Sequence, residues 1–291
     1  MESPNWTEIR QAKLADLHGS VLPPDLKLPI LPQALTEFSE KAADPNVNPK
    51  ILGQIVERDA GLTCELLRNI NSAATGLRCQ VSSVTQAINL LGIRNTGLLL
   101  ATTAVKSAMS ARSSKLINLQ IFWNTNFERA LFARDMARTM KVDEELAFAG
   151  AMLQDFLLPV LTNELVDCYV NFASQDRKDG LTLSQFEHAE WGWDHALATG
   201  QLMVDWKFPD DLVCCVLYHH NGLDVLSNPQ IGRSAVAAVA IAGLLPDFFH
   251  QVPQGLDRLI KLDTAWPAFQ LAERLQRVAD ELLKSDRTGG A

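Results

Sequence analysis

Apolar residues return at three- and four-residue intervals along most of this chain, and polar residues fill the positions between them. This spacing places apolar side chains on one face of an α-helix, whereas the alternating β-branched runs typical of strands are scarce. The pattern predicts an all-α protein built as a multi-helix bundle. The predicted helices cover residues 6–18, 49–59, 62–72, 84–91, 95–109, 122–140, 144–158, 165–173, 184–191, 195–206, 210–219, 233–245 and 266–285.

Start and stop signals accompany several of these helices. Ser83 followed by Gln86, and Ser184 followed by Glu187, each match a capping box. In that motif the hydroxyl and the side chain three residues later satisfy amide donors left free at a helix start. Gly92 follows a helical segment, and glycine readily ends a helix because it adopts the left-handed conformation at no steric cost.

A proline-rich stretch divides the N-terminus from the rest of the chain. Residues 22–32 contain four prolines, which favour extended backbone and exclude helix. We therefore expect residues 1–21 to form an N-terminal extension with one amphipathic helix, and the main domain to begin near residue 22. After residue 222, segments rich in Pro, Gly and Asn separate the last helices, so residues 223–291 are predicted to be C-terminal helices packed on that domain.

Composition limits the classes of partner and the compartment. The net charge of −8 and the sequence pI of about 5.3 provide no basic field, so we expect no nucleic-acid partner. The longest apolar run, residues 235–245, is shorter than the roughly 18 residues that a membrane span needs. The N-terminus has no basic-then-apolar signal, and five cysteines without a CxxC pair fit reduced, mostly buried thiols. A cytoplasmic protein without membrane insertion is the expectation.

Several motifs in a fixed order resemble the HDOD domain, the HD-related output domain of bacterial signalling proteins. The motifs are Leu-Pro-Ile-Leu-Pro at 28–32, Ile-Val-Glu-Arg-Asp at 55–59, the segments at 62–72 and 84–92, Phe-Trp at 122–123, Ala-Gly-Ala at 149–151, Asp-His at 194–195, Trp-Lys-Phe-Pro at 206–209 and Tyr-His-His at 218–220. The resemblance spans residues 22–222. It implies an HD-like bundle with a family-specific N-terminal half, about 22–115, and an HD-like half, about 116–222.

The resemblance also points to a metal site that has lost ligands. HD phosphohydrolases carry an adjacent His-Asp pair that ligates one or two metal ions and activates water. Gln154 and Asp155 stand at this pair here, and an amide is a weaker ligand than an imidazole. The first ligand position, around Thr125, has no histidine, and the late carboxylate position, around Gly243, has no acid.

Three histidines remain at positions that the resemblance assigns to the HD site: His195, His219 and His220. Two alternatives stay open for them. Asp155, His195 and His219 could ligate a divalent metal ion, or Asp155 could form structural hydrogen bonds with His195 or with one member of the pair. In a helix, adjacent histidines point in different directions, so at most one of His219 and His220 is expected to face the site. The structural alternative predicts that no metal cofactor is bound.

These observations favour a non-catalytic signal-transduction protein that acts through protein partners supplied in trans. Two other functions remain open. A pocket left at the degenerate site could bind a nucleotide or second messenger as a receptor, which needs only a concave site with a few polar contacts. Alternatively, Asp155, His195 and His219 could support weak metal-dependent phosphohydrolase activity with a loosely held ion.

Overall fold

The computed structural model describes residues 4–15, 17, 28–71, 80–110, 112, 114–175 and 180–289. Within these residues every regular element is helical, which confirms the predicted all-α class. The α-helices are α1 (Trp6–Leu14), α2 (Gln33–Ala42), α3 (Pro49–Glu57), α4 (Ala60–Ile70), α5 (Val84–Ser110), α6 (Leu119–Met140), α7 (Glu144–Leu153), α8 (Leu158–Glu164), α9 (Val166–Ser174), α10 (Leu183–Trp191), α11 (His195–Asp205), α12 (Asp210–Leu217), α13 (Ala235–Ala242), α14 (Gly255–Ala265) and α15 (Leu271–Gly289). Two 3₁₀ helices, His219–Ser227 and Pro267–Phe269, complete the set.

The first half of the bundle is formed by α2, α3, α4 and α5, which pack on one another. The apolar faces that predicted α3 and α4 are buried, with Leu52, Val56 and Leu66 at zero exposure. The long helix α5 is bent at Gly92, whose φ of 81° and ψ of 160° are not helical. The predicted stop at Gly92 therefore separates two helical segments, as its left-handed φ allows only for glycine at low cost.

The HD-like half is organised around α13, whose eight residues are all apolar and all buried. Helix α13 contacts α6, α7 and α12, and α6 packs along α7. Helices α7 and α12 approach closely because Gly150 has no side chain: an added Cβ would lie 2.5 Å from the Cβ of Cys215. This core holds the segments that carry the candidate site residues.

Terminal helices cover the HD-like half from two sides. Helix α1 packs against α12, where Arg10 forms a 3.0 Å ion pair with Asp210. Helix α15 packs along α6, where Asp135 accepts hydrogen bonds from Arg274 and Arg277. The predicted N-terminal amphipathic helix is thus present as α1, while residues 16 and 18–27, with most of the proline-rich stretch, lie outside the described residues.

The structure differs from the predicted helix boundaries in three places. Helices α2 and α14 were not predicted. The predicted helix 144–158 ends at Leu153, because residues 154–157 form turns before α8 begins. The capping box of α10 is formed by Thr182 and Gln185 rather than by Ser184 and Glu187.

The cysteines are less uniformly buried than expected. Cys214 and Cys215 on α12 are buried, but Cys64 is exposed and Cys168 is half-buried. Burial raises the pKa of the Cys214 thiol to about 12, with Asp210 and Asp211 adding to the effect. A thiol with so high a pKa carries little thiolate at neutral pH and is therefore a poor nucleophile or metal ligand.

One helical stretch among the described residues, Glu144–Glu164, is long and apolar enough to cross a membrane by length and composition. Its apolar window is 89% buried inside the protein, which is also what a core helix shows.

Candidate functional site

Asp155 is the centre of a buried polar cluster. It lies in the turn after α7, and only 1% of its surface is exposed. Its Oδ2 accepts hydrogen bonds from Nη1 of Arg129 at 2.8 Å, from Nε2 of Gln154 at 3.2 Å and from Nε2 of Gln251 at 3.2 Å. One side of the carboxylate is therefore occupied by three donors of the protein itself.

The other oxygen of Asp155 faces the histidines. Oδ1 lies 3.2 Å from Nε2 of His195 and 3.3 Å from Nε2 of His219. Nε2 of His220 lies 3.0 Å from Nε2 of His195. The structure thus brings together Asp155 and all three candidate histidines, from the turn after α7, the first residue of α11 and the start of the 3₁₀ helix His219–Ser227.

Both members of the histidine pair face the site, contrary to the expectation that at most one would. The reason is local backbone geometry: α12 ends at Leu217, and His219 and His220 begin a 3₁₀ helix. Their ring centroids are 3.8 Å apart, and each ring also lies beside that of His195.

Groups behind the histidines fix the orientation of two rings. Nδ1 of His195 donates to Oε2 of Glu187 at 2.6 Å, and the same oxygen accepts from the His195 backbone amide at 2.9 Å. Oε1 of Glu187 accepts from the hydroxyl of Tyr169 at 2.7 Å. Nδ1 of His219 lies 2.6 Å from the backbone carbonyl of Val216, which only accepts, so this nitrogen carries a proton. Nε2 of both rings therefore points inward.

Glu187 and Tyr169 were missed as site residues. The sequence gave Glu187 a surface role in a capping box, whereas the structure buries it completely. A signal was present: Leu183, Phe186 and Glu187 lie on the same buried face of α10. A charged residue on an apolar helix face needs a partner inside the protein.

Electrostatics in the cluster follow from burial and close charges. Burial would raise the pKa of Asp155, but hydrogen bonds from His195 and His219 and the charges of His219 and Arg129 hold it well below its usual value. Burial would lower the pKa of His195, but Glu187 and Asp155 raise it well above the usual value. Burial lowers the pKa of His220, and His219 and His195 lower it further. Without a bound ion, Asp155 is thus anionic, His195 cationic and His220 neutral at neutral pH.

Arg129 on α6 is the residue that the sequence analysis missed entirely. Only 2% of its surface is exposed. Besides Asp155, its guanidinium donates through Nη2 to the carbonyl of Leu245 at 2.7 Å and to Oδ2 of Asp247 at 2.9 Å. Thr125 lies one helical turn earlier on α6, so Arg129 shares the face on which the first HD ligand was sought. The candidate residue Thr125 itself only lines a cleft beside the cluster.

This small cleft lies next to Arg129. Its lining includes Thr125, Asn126, Gln251 and the aromatic rings of Phe122 and Phe248. Three buried polar atoms of its lining residues have no hydrogen-bond partner: Nδ2 of Asn126, Nε of Arg129 and Oε1 of Gln251. The cleft therefore offers donors and an acceptor beside an apolar wall.

The donor set fits one metal ion and does not fit two. Nε2 of His219 is buried and has no hydrogen-bond partner, as expected for a nitrogen available to an ion. His195, His219 and His220 place ligating nitrogens within 4.8 Å of one another. On the side of Oδ2, Gln154 and Arg129 stand where further ligands would be needed. At Gly243 an added Cβ would lie 2.7 Å from the carbonyl of His219, so no acidic side chain fits there.

The helical bundle and this cluster define an HD-like protein. The model of the HDOD domain matches residues 28–222, two thirds of the chain. The chain therefore belongs to the HDOD domain family. The matched region starts six residues after the boundary expected from the proline-rich stretch.

Solved structures and one curated relative share this fold. An HDOD domain protein of Geobacter sulfurreducens superposes with a TM-score of 0.67 at 18% identity, covering 96% of this chain and 98% of that one. A Shewanella amazonensis SB2B protein, provisionally named a phosphohydrolase, has a TM-score of 0.65 at 21% identity, with 90% and 95% covered. A Treponema pallidum (strain Nichols) protein is 19% identical over 257 residues, 86% of this chain. The chain spans about half the length of that relative, 49%.

Proposed function

We propose that this HDOD protein is a non-catalytic signalling protein that regulates other proteins supplied in trans. The observation that carries the proposal is the occupation of Asp155 Oδ2 by Arg129, Gln154 and Gln251. A hydrolytic HD centre needs this carboxylate, with its neighbouring histidine, to hold ions that activate water. Here a guanidinium and two amides saturate the oxygen on the side where those ligands are missing.

Burial of the cluster supports the same conclusion. His195 has no exposed surface, and Asp155, Arg129 and His219 expose 2% or less. A phosphate ester would have to touch an ion or a water molecule held by these groups. The open cleft beside Arg129 reaches Asp155 only from the side of the saturated oxygen.

Hydrolysis assays test the proposal directly. Purified protein is incubated with cyclic dinucleotides, nucleoside phosphates and a generic phosphodiester, each with Mn²⁺, Mg²⁺, Fe²⁺ or Zn²⁺. We expect no turnover above the rate of Asp155→Asn. Metal-dependent hydrolysis by the wild type that is lost in Asp155→Asn, but kept in the exposed control His188→Gln, would contradict the proposal and favour the weak phosphohydrolase alternative.

The regulatory part of the proposal is supported by the family, whose members serve as output domains of bacterial signalling proteins. The C-terminal segment adds exposed apolar side chains: Phe248, Leu256 and Ile260 expose 52%, 42% and 50% of their surfaces. Apolar residues exposed close together often mark protein contacts. Capture of a signalling protein by the wild type and its loss in Phe248→Ser/Ile260→Ser, with the fold intact by circular dichroism, is expected. Equal capture by both would contradict a role for this segment.

The second candidate function is a receptor for a small ligand, and the cleft beside Arg129 favours it. Unpartnered Nδ2 of Asn126 and Nε of Arg129 are donors for a carbonyl, carboxylate or phosphate oxygen, and Phe122 and Phe248 would cover an apolar part. Thermal melts with nucleotides and cyclic dinucleotides test this function. A ligand that raises Tm of the wild type but not of Asn126→Leu supports it, whereas no shift with any ligand opposes it.

A further inference from the structure

We infer that Oδ1 of Asp155 and the Nε2 atoms of His195, His219 and His220 form a closed site for a single late first-row transition-metal ion such as Zn²⁺, while the guanidinium of Arg129 takes the place of a second cation. The inference replaces the expectation of a metal-free cluster. It does not depend on the proposed function, because a closed site and a regulatory role are separate properties.

The spacing of the four atoms matches a coordination tetrahedron. Ligands about 2.0–2.1 Å from a zinc ion in tetrahedral arrangement lie about 3.3 Å from one another. The separations here are 3.2 Å from Asp155 Oδ1 to His195 Nε2, 3.3 Å from Oδ1 to His219 Nε2, and 3.0 Å from His195 Nε2 to His220 Nε2. Four donors held this close require either shared protons or a cation between them.

Second contacts orient the rings in the way that metal-binding histidines require. A ligating imidazole usually donates its other ring nitrogen to a carboxylate or a backbone carbonyl, which fixes the tautomer and aims the lone pair at the ion. His195 donates from Nδ1 to Glu187, and His219 from Nδ1 to the Val216 carbonyl, both at 2.6 Å. Tyr169 in turn holds Glu187 at 2.7 Å.

The ligand types select the ion. Three imidazoles and one carboxylate suit Zn²⁺, Co²⁺ and Ni²⁺ better than Mg²⁺ or Ca²⁺, which prefer oxygen ligands. Four protein ligands in a buried site also leave no position for water, which is the pattern of structural rather than catalytic zinc. The ion would therefore hold the turn after α7 to α11 and to the 3₁₀ helix His219–Ser227.

Arg129 limits the site to one ion. Its Nη1 lies 2.8 Å from Oδ2 of Asp155, and Asp247 and the Leu245 carbonyl hold the guanidinium in place. A second ion on Oδ2 would stand next to this permanent positive charge. Since Gln154 supplies only an amide, nothing offsets that repulsion.

Metal titration of the full chain tests the inference. Protein is stripped with a chelator, and Co²⁺ is added at micromolar concentration while the visible absorption spectrum and the Tm are recorded. Zn²⁺ is then used to displace Co²⁺, and the bound metal is measured by elemental analysis. We expect one ion per chain, the intense visible bands of four-coordinate Co²⁺, and a rise in Tm with either ion.

Variants separate this site from adventitious binding. His220 is half-buried, so His220→Gln is chosen to preserve the fold; it should weaken Co²⁺ binding at least about 10-fold and remove the four-coordinate spectrum. His188→Gln, an exposed histidine on α10, should bind as the wild type does. Gln154→His should still bind one ion, because Arg129 remains. Absence of binding by folded wild type, or equal binding by His220→Gln, would overturn the site, and two ions in Gln154→His would overturn the role of Arg129.

The same experiments distinguish this inference from the proposed function. A bound ion with no hydrolysis supports both. A bound ion with hydrolysis leaves the site standing and contradicts the non-catalytic role, whereas no ion and no hydrolysis overturns the site alone.

Discussion

Arg129 and Asp155 form an ion pair inside the protein, with Nη1 of the guanidinium 2.8 Å from Oδ2 and both side chains at most 2% exposed. The pair joins α6 to the turn after α7. Two charges removed from water are tolerated only when each satisfies the other, so loss of one partner leaves an uncompensated buried charge.

The first prediction follows from this pair. Arg129→Met should lower the free energy of unfolding by about 3–5 kcal/mol, measured by urea denaturation. The matched control is Arg138→Met: Arg138 pairs with Glu144 on the surface at 2.8 Å and is 56% exposed, so its loss should cost about 1 kcal/mol or less. Equal losses in the two variants would show that the Arg129 pair contributes no more than a surface pair.

The second prediction concerns Tyr169 and Glu187, which join α9 to α10. Tyr169→Phe keeps the ring but leaves Oε1 of Glu187 without its donor, and should cost about 1–3 kcal/mol of unfolding free energy. Glu187→Gln should cost at least as much, since it also weakens the contact to Nδ1 of His195.

A double-mutant cycle supplies the control for this pair. If the hydroxyl and the carboxylate act on each other, the double variant loses less than the sum of the two single variants. Additive losses would mean that the 2.7 Å contact contributes nothing measurable.

The sequence predicted the elements that carry strong helical periodicity, and it placed Asp155, His195, His219 and His220 as candidates. It missed α2, which follows Pro32 without a side-chain cap, and α14, which begins at Gly255 after a Pro-rich segment. Both starts lack the hydrogen-bonded cap on which such a prediction depends. The break after Leu153 was missed because residues 151–158 are almost all apolar, so no period reveals a turn; Pro159 in the first turn of α8 was the available signal.

The missed parts of the site share one cause. Arg129 and Glu187 acquire their roles from residues far away in the chain, such as Leu245 and Asp155. A single sequence shows a charge on an apolar face, but it does not show which distant group neutralises that charge.

The third prediction concerns pH and the contact between α6 and α15. Burial would raise the pKa of Asp135, but the hydrogen bond from Arg277 and the charges of Arg274, Arg277 and Arg138 hold it below its usual value. A carboxylate with a lowered folded pKa stabilises the fold above its unfolded pKa, and this contribution is lost as pH falls through the folded pKa.

Asp135→Asn should therefore lower the unfolding free energy by about 3 kcal/mol at pH 7, since Arg274 is fully buried. The difference between variant and wild type should shrink as pH falls below about 4. Denaturation at pH 7, 5 and 3.5 checks this. A difference that stays constant over the whole range would mean that the Asp135 charge is not what stabilises the contact.

The fourth prediction concerns position 154. Gln154→His restores the histidine next to Asp155, yet it should not create hydrolysis of any phosphodiester with any divalent ion. Metal ligands act together, and Thr125 still offers no imidazole while Arg129 still donates to Oδ2. Turnover in the single variant, measured against Gln154→Asn as the amide control, would show that one missing histidine was the whole defect.

The fifth prediction concerns Gly243, the position where HD enzymes carry a late carboxylate. A Cβ added there would lie 2.7 Å from the carbonyl oxygen of His219, a backbone atom that cannot rotate away. Gly243→Ala should therefore lower the unfolding free energy by about 1–3 kcal/mol through overpacking, and Gly243→Asp should lower it more while adding no metal ligand. The control is Gly97→Ala, whose nearest contact, the ring of Phe38 at 3.3 Å, requires a much smaller shift. Urea denaturation ranks the variants, and a stable Gly243→Asp that binds a second ion would show that the backbone moves and that packing did not forbid the carboxylate.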